Sequence, residues 1–349
     1  MQKETLSQLR SIFQRYYYES WIMGVYGLKE KTIDVTSLGE LLIDMTPHGI
    51  SPQGNALLEV NPGGAPCNVL AMVSKLGGKT AFIGKVGEDQ FGRLLEEALN
   101  EQSILTDGLV KDIRYATTLA FVHLDQKGDR SFSFCRKPGA DMMLEKQDVC
   151  EELIAQAKVF HFGTLSMTNE PSLSATKHAV DLAKKHQCLI SFDPNIRPPL
   201  WDSLDNAKIQ MAYGLGQCDI LKISDNEIQL FTGLTDLDKA AEKLITDYPN
   251  IRLMFLTLGR NGSRYYYGKA TRTLETFLDV ETIDTTGAGD TFTGCCLYFI
   301  TQYGLDALDE EKLSHMVRFA NGAASLITTK KGALKVMPQR KDIEALIDG

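Results

Sequence analysis

From residue 32 to the C-terminus, short apolar runs alternate with stretches of helical periodicity, and that rhythm leaves few folds open. Strand, amphipathic helix, strand is the repeating unit of a parallel sheet, which needs helices on both faces to bury it. Strands are predicted at 33–38, 80–85, 159–162, 189–192, 220–223 and 253–257. Between the second and third, Phe91, Leu94, Leu95, Ala98 and Leu99 recur at i, i+3, i+4, i+7 and i+8, the apolar stripe of one helix. Another helix is predicted from Pro171 toward Lys185, with Ala179, Val180 and Ala183 on one face. The fold class is therefore α/β: a central, mostly parallel sheet flanked by helices, in one domain over 32–349 behind an extension of residues 1–31.

Two stretches break the rhythm. Residues 45–60 and 117–134 are polar, turn-rich and free of helical periodicity. The second reads as a hairpin, TLAFVHLD, then a QKGD turn, then RSFSF. Strands inserted between strand–helix units have no place in the main sheet, so a small separate sheet is expected from segments at about 45–60 and 115–136.

Composition narrows the partners. A formal charge of -8 with no dense Lys/Arg run argues against nucleic acid or an anionic membrane, while a local basic pocket could still hold phosphates. No apolar run is long enough to span a bilayer. Seven cysteines without a C-x-x-C pair suggest neither a disulfide framework nor a zinc knuckle, and reduced thiols fit the cytosol. Cys295 and Cys296 read as packing on a buried helix. In the extension, Leu6, Leu9, Ile12, Phe13, Tyr16 and Tyr17 fall near helical spacing. That segment could pack on the domain, bridge subunits, or precede a start at Met23, and the residues do not choose.

Two nucleotide signatures fail. Gly78-Lys79-Thr80 resembles the end of a P-loop, but the first glycine it needs falls on Val73. Gly287-Ala288-Gly289 opens like a dinucleotide fingerprint whose third glycine falls on Phe292. A different pattern holds. Asp284-Thr285-Thr286-Gly287-Ala288-Gly289-Asp290 leads into an apolar helix, so small residues expose backbone N–H groups at a helix start suited to a phosphoryl group. Asp290 would lie beside those donors, kept ionised by them and ready to accept a hydroxyl proton. A glycine turn with an aspartate capping a helix would give the same letters. Pro62-Gly63-Gly64-Ala65-Pro66-Cys67-Asn68 opens a second apolar helix, where the diglycine and Asn68 offer donors and an acceptor to sugar hydroxyls. In Gly39-Glu40-Leu41-Leu42-Ile43-Asp44, Asp44 is expected just past the carboxyl end of the first strand, where open α/β sheets bind ligands, although a turn residue fits there too.

Together GELLID, PGGAPCNVLAMVSKLGGKTAFIGKVGEDQFG and DTTGAGDTFTG, with SFSFCRKPGADMML and SFDPNIRPPLW between, resemble the PfkB-type carbohydrate kinases, most of all fructokinases, over about residues 32 to 340. The resemblance implies a ribokinase-like fold whose small sheet is a lid over the sugar, and leaves room for a homodimer formed through that lid. It implies Asp290 as catalytic base with the Gly287, Ala288 and Gly289 amides as an anion hole. Asp44, Gly63, Gly64 and Asn68 would hold sugar hydroxyls. Arg136 and Arg197 match basic positions facing sugar or transferred phosphate, and surface ion pairs are the competing reading for both. Glu227 matches the glutamate that organises Mg²⁺ through water, in LKISDNEIQLFTG, where the broader family often has Asn in place of Ser224. Thr257, Gly259 and Gly262 match the loop near the ATP phosphates, Asn321 and Ala324 the adenine cleft, and Asp284 with Thr286 a loop for K⁺.

The expected reaction moves the γ-phosphoryl group of ATP onto the primary hydroxyl of fructose. The alternatives are a kinase for another sugar or a sugar acid such as 2-keto-3-deoxygluconate, and a catalytically inactive sugar-binding module. An intact Asp290 beside GAG amides speaks against the last.

Overall fold

The structure, a computed structural model, describes residues 31–124 and 130–349. The apolar stripe of the extension and the QKGD turn lie outside the described residues. Along the chain the strands are β1 (Ile33–Leu38), β2 (Leu42–Ile50), β3 (Ala56–Gly63), β4 (Thr80–Gly87), β5 (Ile104–Asp112), β6 (Leu119–Leu124) and β7 (Arg130–Cys135). They continue as β8 (Ala157–Gly163), β9 (Leu189–Asp193), β10 (Ile220–Ser224), β11 (Leu253–Thr257), β12 (Ser263–Tyr267) and β13 (Ala270–Leu274). The helices are α1 (Ala65–Lys75), α2 (Gln90–Glu101), α3 (Glu151–Ala155), α4 (Ser172–Lys185) and α5 (Leu204–Gln217). Then come α6 (Asp225–Thr232), α7 (Leu237–Asp247), α8 (Ala288–Tyr303), α9 (Glu310–Ile327) and α10 (Arg340–Asp348).

A nine-stranded sheet runs β13-β12-β11-β10-β9-β8-β1-β4-β5. All its pairs are parallel except β11–β12 and β12–β13, which close one edge as an antiparallel hairpin. The chain first moves outward from β1 through β4 to β5, then returns to the other side of β1 with β8. That reversal makes a crevice at the carboxyl ends of β1 and β8, the place where such sheets bind ligands.

Every strand between the edges is covered twice. On β11, Leu253 and Phe255 face the side packed by α1, α2, α8, α9 and α10, while Met254 and Leu256 face α3 to α7. Strands buried on both faces carry few polar residues, so their apolar runs stand out in the sequence. The edge elements β5, β12 and β13 do not stand out, because ILTDGLVKD and ATRTL mix exposed polar residues with apolar ones.

The smaller sheet has the order β3-β2-β6-β7 and takes its strands from the two irregular segments. Its start differs from expectation. Asp44 does not follow the end of β1 as a loop residue but sits within β2, paired across to Asn61 of β3. Residues 39–41 suffice to carry the chain from one sheet to the other.

Two helices of one layer approach unusually closely. A Cβ placed on Gly294 of α8 would stand 2.6 Å from the Met72 Cβ and 2.7 Å from the Val69 carbonyl oxygen of α1. Only hydrogen fits there. Gly294→Ala is therefore expected to force the pair apart and lower stability by about 1–3 kcal/mol despite the better helix propensity of alanine, read as a lower urea midpoint with unchanged slope.

Candidate active site

The close crossing of α1 and α8 aligns their first turns, where the chemistry gathers. Asn68 lies four residues before Met72, and Asp290 four before Gly294, so the contact is repeated one turn nearer the crevice. There the Asn68 side-chain amide donates to Asp290 Oδ2 at 2.8 Å. The Asn68 Oδ1 atom is buried and has no hydrogen-bond partner among the described residues.

Each helix start is built by glycine. Gly64, the N-cap of α1, has φ 133°, and a Cβ on it would lie 2.4 Å from the Glu40 carbonyl oxygen. The missing side chain of Gly63 leaves room for the Asp44 carboxylate, which a Cβ would meet at 2.5 Å. Gly287, with φ 78°, begins α8 without any side-chain cap; the Ala288 amide turns back to the Thr285 carbonyl at 3.3 Å, and no side chain takes up the amides that follow it. Glu40 accepts from the Ala65 amide at 2.9 Å and so fixes the start of α1.

Above these turns lies a cleft of about 370 Å³ roofed by the small sheet. Asp44, Gly64, Asn68, Arg197, Asp284, Asp290 and the segment 285–289 line it. Three of its acids are shifted upward. Burial raises Glu40 to about 7, and burial also raises Asp44 to about 7, only partly offset by Arg197. Asp290 departs from expectation. Burial lifts its affinity for a proton above the ordinary aspartate value, outweighing the Asn68 hydrogen bond and the charges of Lys222 and Arg197.

The two arginines part company. Arg197 is exposed at the rim, where its charge reaches both Asp44 and Asp290. Arg136 is not among the residues lining the cleft. Its guanidinium is buried and donates to Asp141 at 2.8 Å, Thr168 at 3.1 Å and the Leu165 carbonyl at 3.1 Å.

A second, more open cleft of about 860 Å³ meets the first end to end. Ser224, Glu227, Thr257, Gly259, Gly262, Asn321 and Ala324 all line it. Gly262 (φ 85°) could carry no side chain, since a Cβ would fall 2.1 Å from the Leu274 carbonyl oxygen. Asn321 accepts from Ser263 and donates to the Leu274 and Glu275 carbonyls, so it shapes the wall. Ser224 caps α6, and Glu227 Oε2 accepts from both its amide and its hydroxyl. The other oxygen, Oε1, accepts from the Ile196 amide at 2.8 Å. Burial opposes ionisation of Glu227, but Lys222 and these donors prevail and hold it below the usual range. Asp284 is buried and accepts from the Thr286 and Gly332 amides, which ties the 284–286 loop to the 332 turn.

Three residues of the site escape the sequence reading. Glu40 lies inside the GELLID motif, and Asn195, at the mouth between the clefts, has an unusual φ of 45°. Lys222 is buried and lines both clefts. Its signal is a lysine inside the apolar run ILKIS, where an unpaired charge is rarely kept.

Residues 32–340 match the family described as pfkB family carbohydrate kinase. The chain is 39% identical over 330 residues to fructokinase-2 of Solanum habrochaites, covering 94% of this chain and 99% of that one. It resembles the fructokinase of Xylella fastidiosa solved with ATP, with a TM-score of 0.82 and 31% identity over 90% of this chain and 98% of that one. A double mutant of the Vibrio cholerae O395 fructokinase, solved with fructose, ADP and potassium, gives a TM-score of 0.81 and 30% identity over 91% and 99%.

A raised carboxyl leaves a mark on stability. Because folding lifts Glu40 from 4.5 to about 7, its contribution is complete below the lower value and disappears as pH rises through the upper one. Glu40→Gln keeps an acceptor for the Ala65 amide and removes the titration. Urea unfolding at pH 5 and pH 8 should show the variant gaining on the parent chain as pH rises, by on the order of 3 kcal/mol.

Proposed function

The chain belongs to the pfkB family of carbohydrate kinases, and we propose that within it this protein phosphorylates fructose at its primary hydroxyl, using ATP, to give fructose 6-phosphate. One observation carries the proposal: Asp290, held by Asn68 at 2.8 Å, stands beside uncapped helix amides where two clefts meet.

In this reading the sugar occupies the smaller cleft. Asn68 Oδ1, Asp44 and the region of Gly63 and Gly64 take its hydroxyls, and the four-stranded sheet acts as a lid that keeps out water, the competing acceptor. ATP occupies the larger cleft over Gly259 and Gly262, with Ala324 and Asn321 at the far wall. Asp290 accepts the proton as the sugar oxygen attacks, and its raised proton affinity makes it a better base than an ordinary aspartate. The amides of Gly287, Ala288 and Gly289 receive the charge of the group in transit.

Among the described residues no cluster of three or more His, Cys, Asp or Glu could hold a metal. Both Glu227 oxygens already accept from the protein, which suits contact with a metal's water rather than with the metal itself. Mg²⁺, when bound, would neutralise phosphate charge, with Glu227 orienting its hydration. Asp284 and Thr286, on the loop anchored to Gly332, are the candidates for K⁺.

A neutral sugar is favoured over a sugar acid by the cleft's own charge. Glu40, Asp44, Asp284 and Asp290 line it against Arg197 and Lys222, and Lys222 already has a carboxylate partner. A 2-keto-3-deoxygluconate kinase would have to hold its substrate's carboxylate among these acids. The apolar outer face of the lid, with Leu58 and Val60 exposed, supports a homodimer through that sheet. No helix among the described residues is long and apolar enough to cross a membrane, and all seven cysteines are free, which fits a cytosolic location.

Turnover with ATP should be measured against fructose, ribose, tagatose and 2-keto-3-deoxygluconate, with NMR of the product. Fructose is expected to lead, and poor use of fructose beside good use of another compound would overturn the substrate. Asp290→Ala is expected to cost about 10²–10⁴ in kcat, and a loss under tenfold in a folded variant would remove Asp290 as the base.

A further inference from the structure

Lys222 is an expensive residue to keep. Its neighbours in β10 are apolar, its side chain is 9% exposed, and its ammonium lies 3.0 Å from Asp193 Oδ2, itself on a side chain 4% exposed. A buried ion pair generally does no better for stability than a well-packed apolar pair of the same size, because both charges are stripped of water. Stability therefore does not explain why a strand of this sheet carries it.

Its position offers a reason. The residues that line both clefts are Asn195, Arg197, Lys222, Thr285, Ala288 and Gly289. Among them are two cations, of which Arg197 is exposed at the rim and Lys222 is fixed from below by Asp193. The ammonium also reaches the helix mouth, since a Cβ added to Gly289 would lie 3.1 Å from Lys222 Nζ. A small residue at 289 thus does more than expose an amide: it opens the path between the lysine and the junction. An ammonium has three donors, and Asp193 does not exhaust them.

We propose that Lys222 is a catalytic residue whose ammonium, anchored by Asp193, contacts the phosphoryl group as it crosses from one cleft to the other. This rests on the kinase reading. In the transfer, the bond from the γ-phosphorus to the bridging oxygen breaks and its electron pair stays on ADP. The sugar oxygen forms the new bond to phosphorus and its proton passes to Asp290. Lys222 keeps all its protons and supplies a fixed positive charge where three phosphoryl oxygens gather negative charge. Arg197 can swing away; Lys222 cannot.

The test separates this role from a structural one. Lys222→Met leaves Asp193 buried without its partner and is expected to lower the melting temperature, together with a fall of about 10²–10³ in kcat per folded molecule. Asp193→Asn with Lys222→Met removes both charges. This double variant should recover melting temperature while kcat stays depressed, with the sugar KM little changed. If it returns to within tenfold of the parent kcat, or if Lys222→Met alone stays within tenfold, the lysine only holds the fold and the proposal fails. Absence of turnover in the parent chain with every sugar would instead defeat the kinase reading, and the lysine's role with it.

Discussion

The hydrogen bond from Asn68 to Asp290 joins residues 222 positions apart and depends on two helices that can touch backbone to side chain. Gly294 permits that approach, and without it the first turns of α1 and α8 would not share a mouth. The rest of the site is arranged around this junction. One helix start faces the space under the small sheet, the other faces the junction of the two clefts, and the carboxylate of Asp290 stands where they meet. Packing in the core and chemistry in the crevice are consequences of one helix crossing.

The electrostatics around the junction follow from burial more than from individual partners. Glu40 and Asp44 are both pushed to about 7 by loss of water, and Asp290 moves in the same direction. Glu227 moves the other way because its two oxygens accept three hydrogen bonds and Lys222 is near. The site therefore contains carboxyls tuned to opposite tasks by their surroundings: some hold protons readily, and one remains an anion. Such upward shifts oppose stability near neutral pH, a cost that folds commonly carry at their working sites.

Much of this is legible in the amino-acid sequence, for physical reasons. Central parallel strands are apolar on both faces, so LMFLT announces itself, whereas edge strands such as ILTDGLVKD follow solvent as much as core. The glycine turns are legible because only glycine readily tolerates the positive φ of Gly64 and Gly287. What a turn is for is less so: Gly63 makes room for Asp44, a fact that lives in the pairing of β2 with β3 and not in the local letters. Arg136 shows the limit from the other side. Residue type and motif suggest a ligand contact, but the guanidinium is buried and bonds through all three of its nitrogens to Asp141, Thr168 and the Leu165 carbonyl. Lys222 is the opposite case, a charge inside an apolar run whose oddity is plain in ILKIS while its place between two clefts is visible only in the fold.

The path by which the small sheet attaches to the large one has a mechanical meaning. β2 leaves β1 across residues 39–41, and β3 runs directly into α1, so both legs of that hairpin are rooted beside Asp44 and Gly64. A hairpin clamped at its root behaves as a cantilever. Flexing would displace the tip near residues 50–56 through the largest arc and leave the root almost stationary. Any motion of that sheet would therefore leave Asp44 and Gly64 almost in place.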